Sequence, residues 1–128
     1  MNLSTICVVD DHQDIRNALV EMLQLADYET VAFASAEDAL VVLDQNWQGI
    51  VISDIRMPGT DGLAMLAKLQ QSNPDLPVII TTAHSDLDSA VASYEEGAFE
   101  YLPKPFDIDE MVSTVERARA QQRSRSID

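Results

Sequence analysis

Along the chain, short continuous apolar runs alternate with stretches in which apolar residues recur every three or four positions, the signature of strands alternating with amphipathic helices. Thr5–Val9 is the first run and ends in Asp10 and Asp11. Ile15, Ala18, Leu19, Met22 and Leu23 then follow the i, i+3, i+4, i+7, i+8 spacing of one helix face. Residues 29–34 read as a second strand. Ser35 with Asp38 three positions on predicts a capped helix that turns Ala36, Ala39, Leu40 and Leu43 inward. Residues 50–53 form a third strand running into Asp54. Pro58-Gly59 and Asp61-Gly62 mark a turn, after which Leu63, Leu66 and Leu69 share a helix face. Val78–Thr82 is a fourth strand. Ser85, with Asp88 three on, is expected to cap the next helix, which carries Leu87, Ala90, Val91 and Tyr94 and ends at Gly97. A fifth strand is expected over 98–102. Asp107 and Glu110 open a last helix with Ile108, Met111, Val112 and Val115 facing the core.

Five βα units with near-continuous apolar strands imply a parallel sheet covered by helices on both faces. At 128 residues the chain is expected to be one domain, residues 1–120, with a polar, aperiodic tail over 121–128 that frays or begins a linker. No apolar run reaches the ~20 residues of a membrane span and no secretory signal is visible, so a cytoplasmic location is expected. Cys7, the single cysteine, sits inside an apolar run and reads as core filling. The net charge of −14 changes the picture more. Such a surface repels phosphate backbones, which argues against nucleic-acid binding by this segment, and it suits a hard cation or a basic partner.

In open parallel sheets the site lies at the carboxyl ends of the strands, where strand order reverses. Those ends carry Asp10 and Asp11, Asp54, Thr82 and Lys104. Three gathered carboxylates are unfavourable unless a cation compensates them, and oxygen ligands point to a hard ion such as Mg²⁺. A carboxylate held beside it, Asp54, is able to attack a phosphoryl group. Lys104 would neutralise the transferring oxygens and Thr82 would hydrogen-bond one of them. Any one of these acids alone reads as a turn residue or helix cap; the set does not.

The segments Val8-Val9-Asp10-Asp11, Ser53-Asp54-Ile55-Arg56-Met57-Pro58-Gly59, Thr82-Ala83-His84 and Tyr101-Leu102-Pro103-Lys104-Pro105-Phe106 resemble the receiver domains of bacterial two-component response regulators. The likeness spans about residues 4 to 120. It is narrower still to the NtrC family of σ54-dependent activators: residues 82–109 are most similar to the nitrogen-regulator branch, and 25–77 are also close to the dicarboxylate-transport (DctD) branch. The resemblance implies a flavodoxin-like sandwich with strand order 2-1-3-4-5. It makes Asp54 the phosphoacceptor, with Asp11 on Mg²⁺ directly, Asp10 largely through water, and the Arg56 carbonyl completing the protein ligands. Thr82 would be the switch hydroxyl, Tyr101 the switch aromatic and Lys104 the phosphate partner, followed by a cis Lys104-Pro105 bond. The implied partners are a sensor histidine kinase and, in a longer protein, ATPase and DNA-binding domains, with homodimerisation on phosphorylation. His12 stands where some relatives carry a third acid, which would weaken metal affinity or make it pH-dependent.

Two other functions compete. A phosphatase of the haloacid dehalogenase class also uses an aspartate nucleophile, but it wants an acid two residues later, and position 56 is Arg. A docking module that merely keeps the pocket would not need all five residues. Among the remaining residues, His84 reads as a loop residue without a catalytic role, Trp47 as partly exposed packing, and Met57, Met65 and Met111 as gap fillers. The stripe Ala83, Leu87, Ala90, Val91 and Tyr94 is either plain core or a surface that phosphorylation re-registers for a partner.

Overall fold

The central apolar runs become strands because β-branched residues dominate Thr5–Val9, Ile50–Asp54 and Val78–Thr82 and these are covered on both sides, whereas the edge strand over Glu29–Phe33 stays largely exposed. In a computed structural model of the chain, residues 5–83 and 86–127 are described, with side chains described to Gln122. The strands β1 (Thr5–Val9), β2 (Glu29–Phe33), β3 (Ile50–Asp54), β4 (Val78–Thr82) and β5 (Glu100–Pro103) alternate with α1 (Gln13–Leu25), α2 (Ala36–Val42), α3 (Gly62–Ser72), α4 (Leu87–Glu95) and α5 (Ile108–Ile127). All strand pairs are parallel, in the order β2-β1-β3-β4-β5. The fold is therefore the expected flavodoxin-like one.

Alternating residues of the sheet feed two separate cores. On one face Ile6, Val8, Ile50, Ile52 and Ile79 pack with Leu19 and Leu23 of α1 and with Met111 and Val115 of α5. On the other, Cys7, Val9, Val51, Val78 and Ile80 pack with Ala36 and Ala39 of α2 and Met65, Leu66 and Leu69 of α3. Cys7 is fully buried, which pushes its thiol pKa up to about 12, as fits an inert filler. Met57, Met65 and Met111 are buried, and Trp47 is half-buried against the second core.

Some boundaries differ from the sequence reading. Ala18 is exposed, because α1 buries only a narrow stripe about Leu19 and Leu23. Asp54 is the last residue of β3 rather than the residue after it, and β5 starts two residues late. Helix α5 continues past 121, where the polar tail was expected to begin, as far as Ile127, and Gln122 Nε2 donates to the Gly49 carbonyl at 2.8 Å. Ser35 caps α2 as expected, accepting from the Asp38 N–H at 3.2 Å. Ser85 and His84 lie outside the described residues; the described cap of α4 is Asp86, which accepts from the Ser89 N–H at 2.7 Å. Among the described residues no helix is long and apolar enough to cross a membrane.

Candidate phosphoryl and metal site

Topology alone gathers the strand-end residues. β1 and β3 are neighbours at the point where strand order reverses, so Asp10 and Asp54 leave the sheet side by side. β5 enters from the far side of β4, and its last residue, Pro103, pairs with Thr82. Lys104 then reaches back across β4. Its Nζ lies 3.0 Å from Asp10 Oδ2 and 3.3 Å from Asp54 Oδ1, with all three side chains largely out of solvent. The peptide bond that follows, Lys104-Pro105, is cis.

Two carboxylates buried around one ammonium leave negative charge in excess. Burial holds the Asp54 carboxyl above the usual carboxylate range, Lys104 pulls it down, and Asp10 pushes it up again. One ligand atom from each of Asp10, Asp11, His12 and Asp54 falls within 4.8 Å of the others. Asp11 Oδ1 is buried without a hydrogen-bond donor, and faces His12 Nδ1 at 3.3 Å. A buried carboxylate oxygen lacking a donor, in a ring of carboxylates, is the arrangement a hard divalent cation completes. The residues present therefore fit Mg²⁺.

The remaining expected residues lie around this ring. Thr82 is buried at the end of β4. Arg56 is exposed on the β3–α3 loop. Tyr101 is buried in β5, its hydroxyl 2.7 Å from Ser89 Oγ of α4. Below Asp54, Ser53 Oγ donates to the Asp54 carbonyl at 2.9 Å. A Cβ at position 62 would strike that same carbonyl, so glycine is required where α3 settles on the end of β3.

Three contributors escaped the sequence reading. Arg16, one turn into α1, donates from Nη1 to the Asp10 carbonyl at 2.8 Å. The His12 backbone N–H donates to Asp10 Oδ1 at 2.9 Å, so position 12 orients the acid beside it whatever its own side chain does. Ser89 meets Tyr101. Arg16 and Ser89 carried a signal only as polar residues on otherwise mixed helices, which is too common to single them out. The apolar stripe on α4 divides: Ala90 packs against the core, while Leu87 is 77% exposed, Val91 44% and Tyr94 48%.

Comparison with known proteins places this geometry. The response regulator receiver domain family matches residues 6–116. Over 132 aligned residues the chain is 48% identical to the DNA-binding transcriptional regulator NtrC of Salmonella typhimurium, covering all of this chain and 28% of that protein. It is 43% identical over 119 residues to the C4-dicarboxylate transport transcriptional regulatory protein DctD of Rhizobium meliloti, covering 93% of this chain and 26% of that one. The chain thus spans about a quarter of the length of these relatives. Among solved structures, a response regulator receiver domain protein from Clostridium thermocellum superposes with a TM-score of 0.88 at 30% identity, covering 93% of this chain and 96% of that one.

Proposed function

Because the chain belongs to the response regulator receiver domain family and is similar to NtrC- and DctD-type regulators, we propose that it is a phosphoacceptor switch. Asp54 accepts the phosphoryl group from a sensor histidine kinase, and the new anion changes how the β4–α4 flank packs. The observation that carries this reading is the convergence of Asp10, Asp54 and Lys104 within salt-bridge distance at one sheet edge. Asp10, Asp11, Asp54 and the Arg56 carbonyl would hold Mg²⁺, which when bound supplies positive charge against the acids and the incoming phosphoryl oxygens. Lys104 is placed to meet a phosphoryl oxygen on Asp54, since its ammonium already sits 3.3 Å from the carboxylate. Thr82, at the next strand end, serves as the switch hydroxyl and Tyr101 as the aromatic that follows it. The exposed α4 stripe is the surface that changes. The domain is regulatory, catalysing only its own phosphorylation and slow dephosphorylation. It acts in the cytoplasm within a σ54-dependent activator with ATPase and DNA-binding domains, and it dimerises on phosphorylation. Nitrogen control is favoured over dicarboxylate transport by the higher identity to NtrC.

The test is intact-mass spectrometry after incubation with acetyl phosphate and Mg²⁺. One phosphoryl group must be gained, and Asp54→Asn must abolish the gain. Backbone NMR shifts over residues 84–96 must also move on adding beryllofluoride with Mg²⁺; an unmoved α4 refutes the switch.

A further inference from the structure

The β3–α3 loop, residues 55–61, carries the Arg56 carbonyl. Its two ends are well fastened. The Ile55 N–H donates to the Thr81 carbonyl at 3.0 Å, the Gly62 N–H to the Ile55 carbonyl at 2.9 Å, and Asp61 caps α3 by accepting from the Ala64 N–H at 2.8 Å. Its middle is held on the core side by buried Met57 and is open on the other. Arg56, Pro58 and Gly59 are exposed, and Arg56, Met57, Pro58 and Asp61 line an open hollow of 390 Å³. Here the loop is tied to a different element: the Thr60 N–H donates to Glu37 Oε2 at 2.8 Å, across 23 residues of sequence.

The tie lies at the surface, with Glu37 exposed, but both of its ends are positioned by the fold. Glu37 lies in the first turn of α2, which is anchored by fully buried Ala36 and Ala39 and by the Ser35 cap. A backbone N–H given to a carboxylate is a charge-assisted bond. That bond is the largest reason the Glu37 carboxyl is held below the usual carboxylate range, with Lys68 of α3 helping. Gly59 makes room for it. A Cβ at position 59 would stand 2.7 Å from Glu37 Oε2, and the φ of +76° is one that side chains resist. We infer that Glu37 is a positioning residue for the phosphoryl site, whose carboxylate ties the loop to α2 and so steadies the segment whose Arg56 carbonyl would join Asp10, Asp11 and Asp54 around Mg²⁺. This rests on the metal reading above and adds to it a device outside the ring of ligands.

Glu37→Ala removes the acceptor. Glu37→Gln removes the charge but keeps an oxygen that accepts from Thr60. In the metal-free protein, hydrogen exchange at the Thr60 amide is expected to speed up on the order of tenfold in Glu37→Ala and much less in Glu37→Gln. Calorimetric titration with Mg²⁺ is expected to give a Kd weakened roughly three- to tenfold in Glu37→Ala and less than about twofold in Glu37→Gln, with the urea midpoint little changed in either. An unchanged Kd in Glu37→Ala overturns the inference. So does equal weakening in both variants, because that is the mark of lost long-range charge rather than a lost tie. If the unaltered chain binds no Mg²⁺, or binds it equally well as Asp11→Asn, the metal reading itself is refuted and the clasp loses its role with it. The unaltered chain and Asp11→Asn thus separate that failure from the clasp's own.

Discussion

Helices α3 and α4 lie on the same face of the sheet, each follows a wholly buried strand, and each opens on an aspartate cap. They are nevertheless held by different physics. α3 buries Met65, Leu66 and Leu69, while the buried residue of α4 is Ser93. Each fully buried large apolar side chain is worth about 1.5–3 kcal/mol, whereas a net hydrogen bond contributes about 0.5–1.5 kcal/mol. Polar links do much of the work for α4. Ser89 meets the Tyr101 hydroxyl at 2.7 Å, the Tyr94 hydroxyl donates to Glu100 at 2.7 Å, and the Tyr101 N–H donates to the Tyr94 hydroxyl at 3.2 Å. The difference gives one sheet edge a helix fixed by apolar burial beside a helix held largely by hydrogen bonds. α3 settles on the Asp54 carbonyl through Gly62 and stays, while α4 is fastened by bonds that a new hydrogen-bonding partner is able to outbid.

The strongest test cuts both helices at one leucine each. Leu66→Ala should leave a cavity and cost about 2–5 kcal/mol in urea unfolding. Leu87→Ala removes an exposed side chain and should change stability by no more than about 0.5 kcal/mol. A Leu87→Ala cost near that of Leu66→Ala would mean α4 is packed like α3, and the contrast would fall.

A second test alters the charge beneath α3. The Asp54 carboxyl is held above its ordinary range chiefly by burial, with Asp10 adding to the shift. Between the unfolded and folded pKa the native state therefore holds more protons than the unfolded one, and stability falls as pH rises through the folded pKa. In metal-free buffer Asp54→Asn should be more stable than the unaltered chain at neutral pH. That advantage should shrink as pH drops toward the ordinary carboxylate value, about 4, and should also shrink when Mg²⁺ is added. Urea midpoints across pH measure it. Amide exchange in α3 should stay as it was throughout. A destabilised Asp54→Asn at neutral pH, or a loosened α3, contradicts the arrangement.

How much of this was legible beforehand follows from which signals are local. The strands, the helix faces and the acids at strand ends were readable because burial imposes period and length on sequence. Asp10, Asp54 and Lys104 could be gathered from topology, since parallel crossovers send every strand's carboxyl end to one edge. What was not legible depended on distances across the fold. Arg16 reaches Asp10 and Glu37 reaches Thr60 only once α1 and α2 are docked, and both look like ordinary surface charges in sequence. Ala18 satisfies the helical spacing yet is exposed, because spacing fixes the face and not the width of the buried stripe. The α4 stripe was left open between core and surface for the same reason: Leu87, Val91 and Tyr94 share a face, and only the docked helix reveals that the face looks outward. The length of α5 was missed because the polar run after Gln121 has no apolar period, although α5 continues to Ile127.

The smallest effect bears most directly on α4. Tyr101→Phe deletes one hydroxyl and keeps the ring, which is 9% exposed and packed in the core. The expected loss is about 1 kcal/mol in unfolding, the worth of one half-buried hydrogen bond, because Ser89 is able to turn toward water once its partner is gone. The informative readout is local. Amides of Leu87–Glu95 should exchange faster in Tyr101→Phe, and those of Gly62–Ser72 should not, because local opening follows the links that an element has and not the stability of the whole. Ser89→Ala should loosen α4 at least as much, because it also removes the Ser89 Oγ bond to the Asp86 carbonyl at 3.3 Å, and the double variant should cost little more than Ser89→Ala alone, since both remove the Ser89–Tyr101 bond. Additive costs would mean that Ser89 and Tyr101 act separately, and α4 would then need another tether to keep it in place.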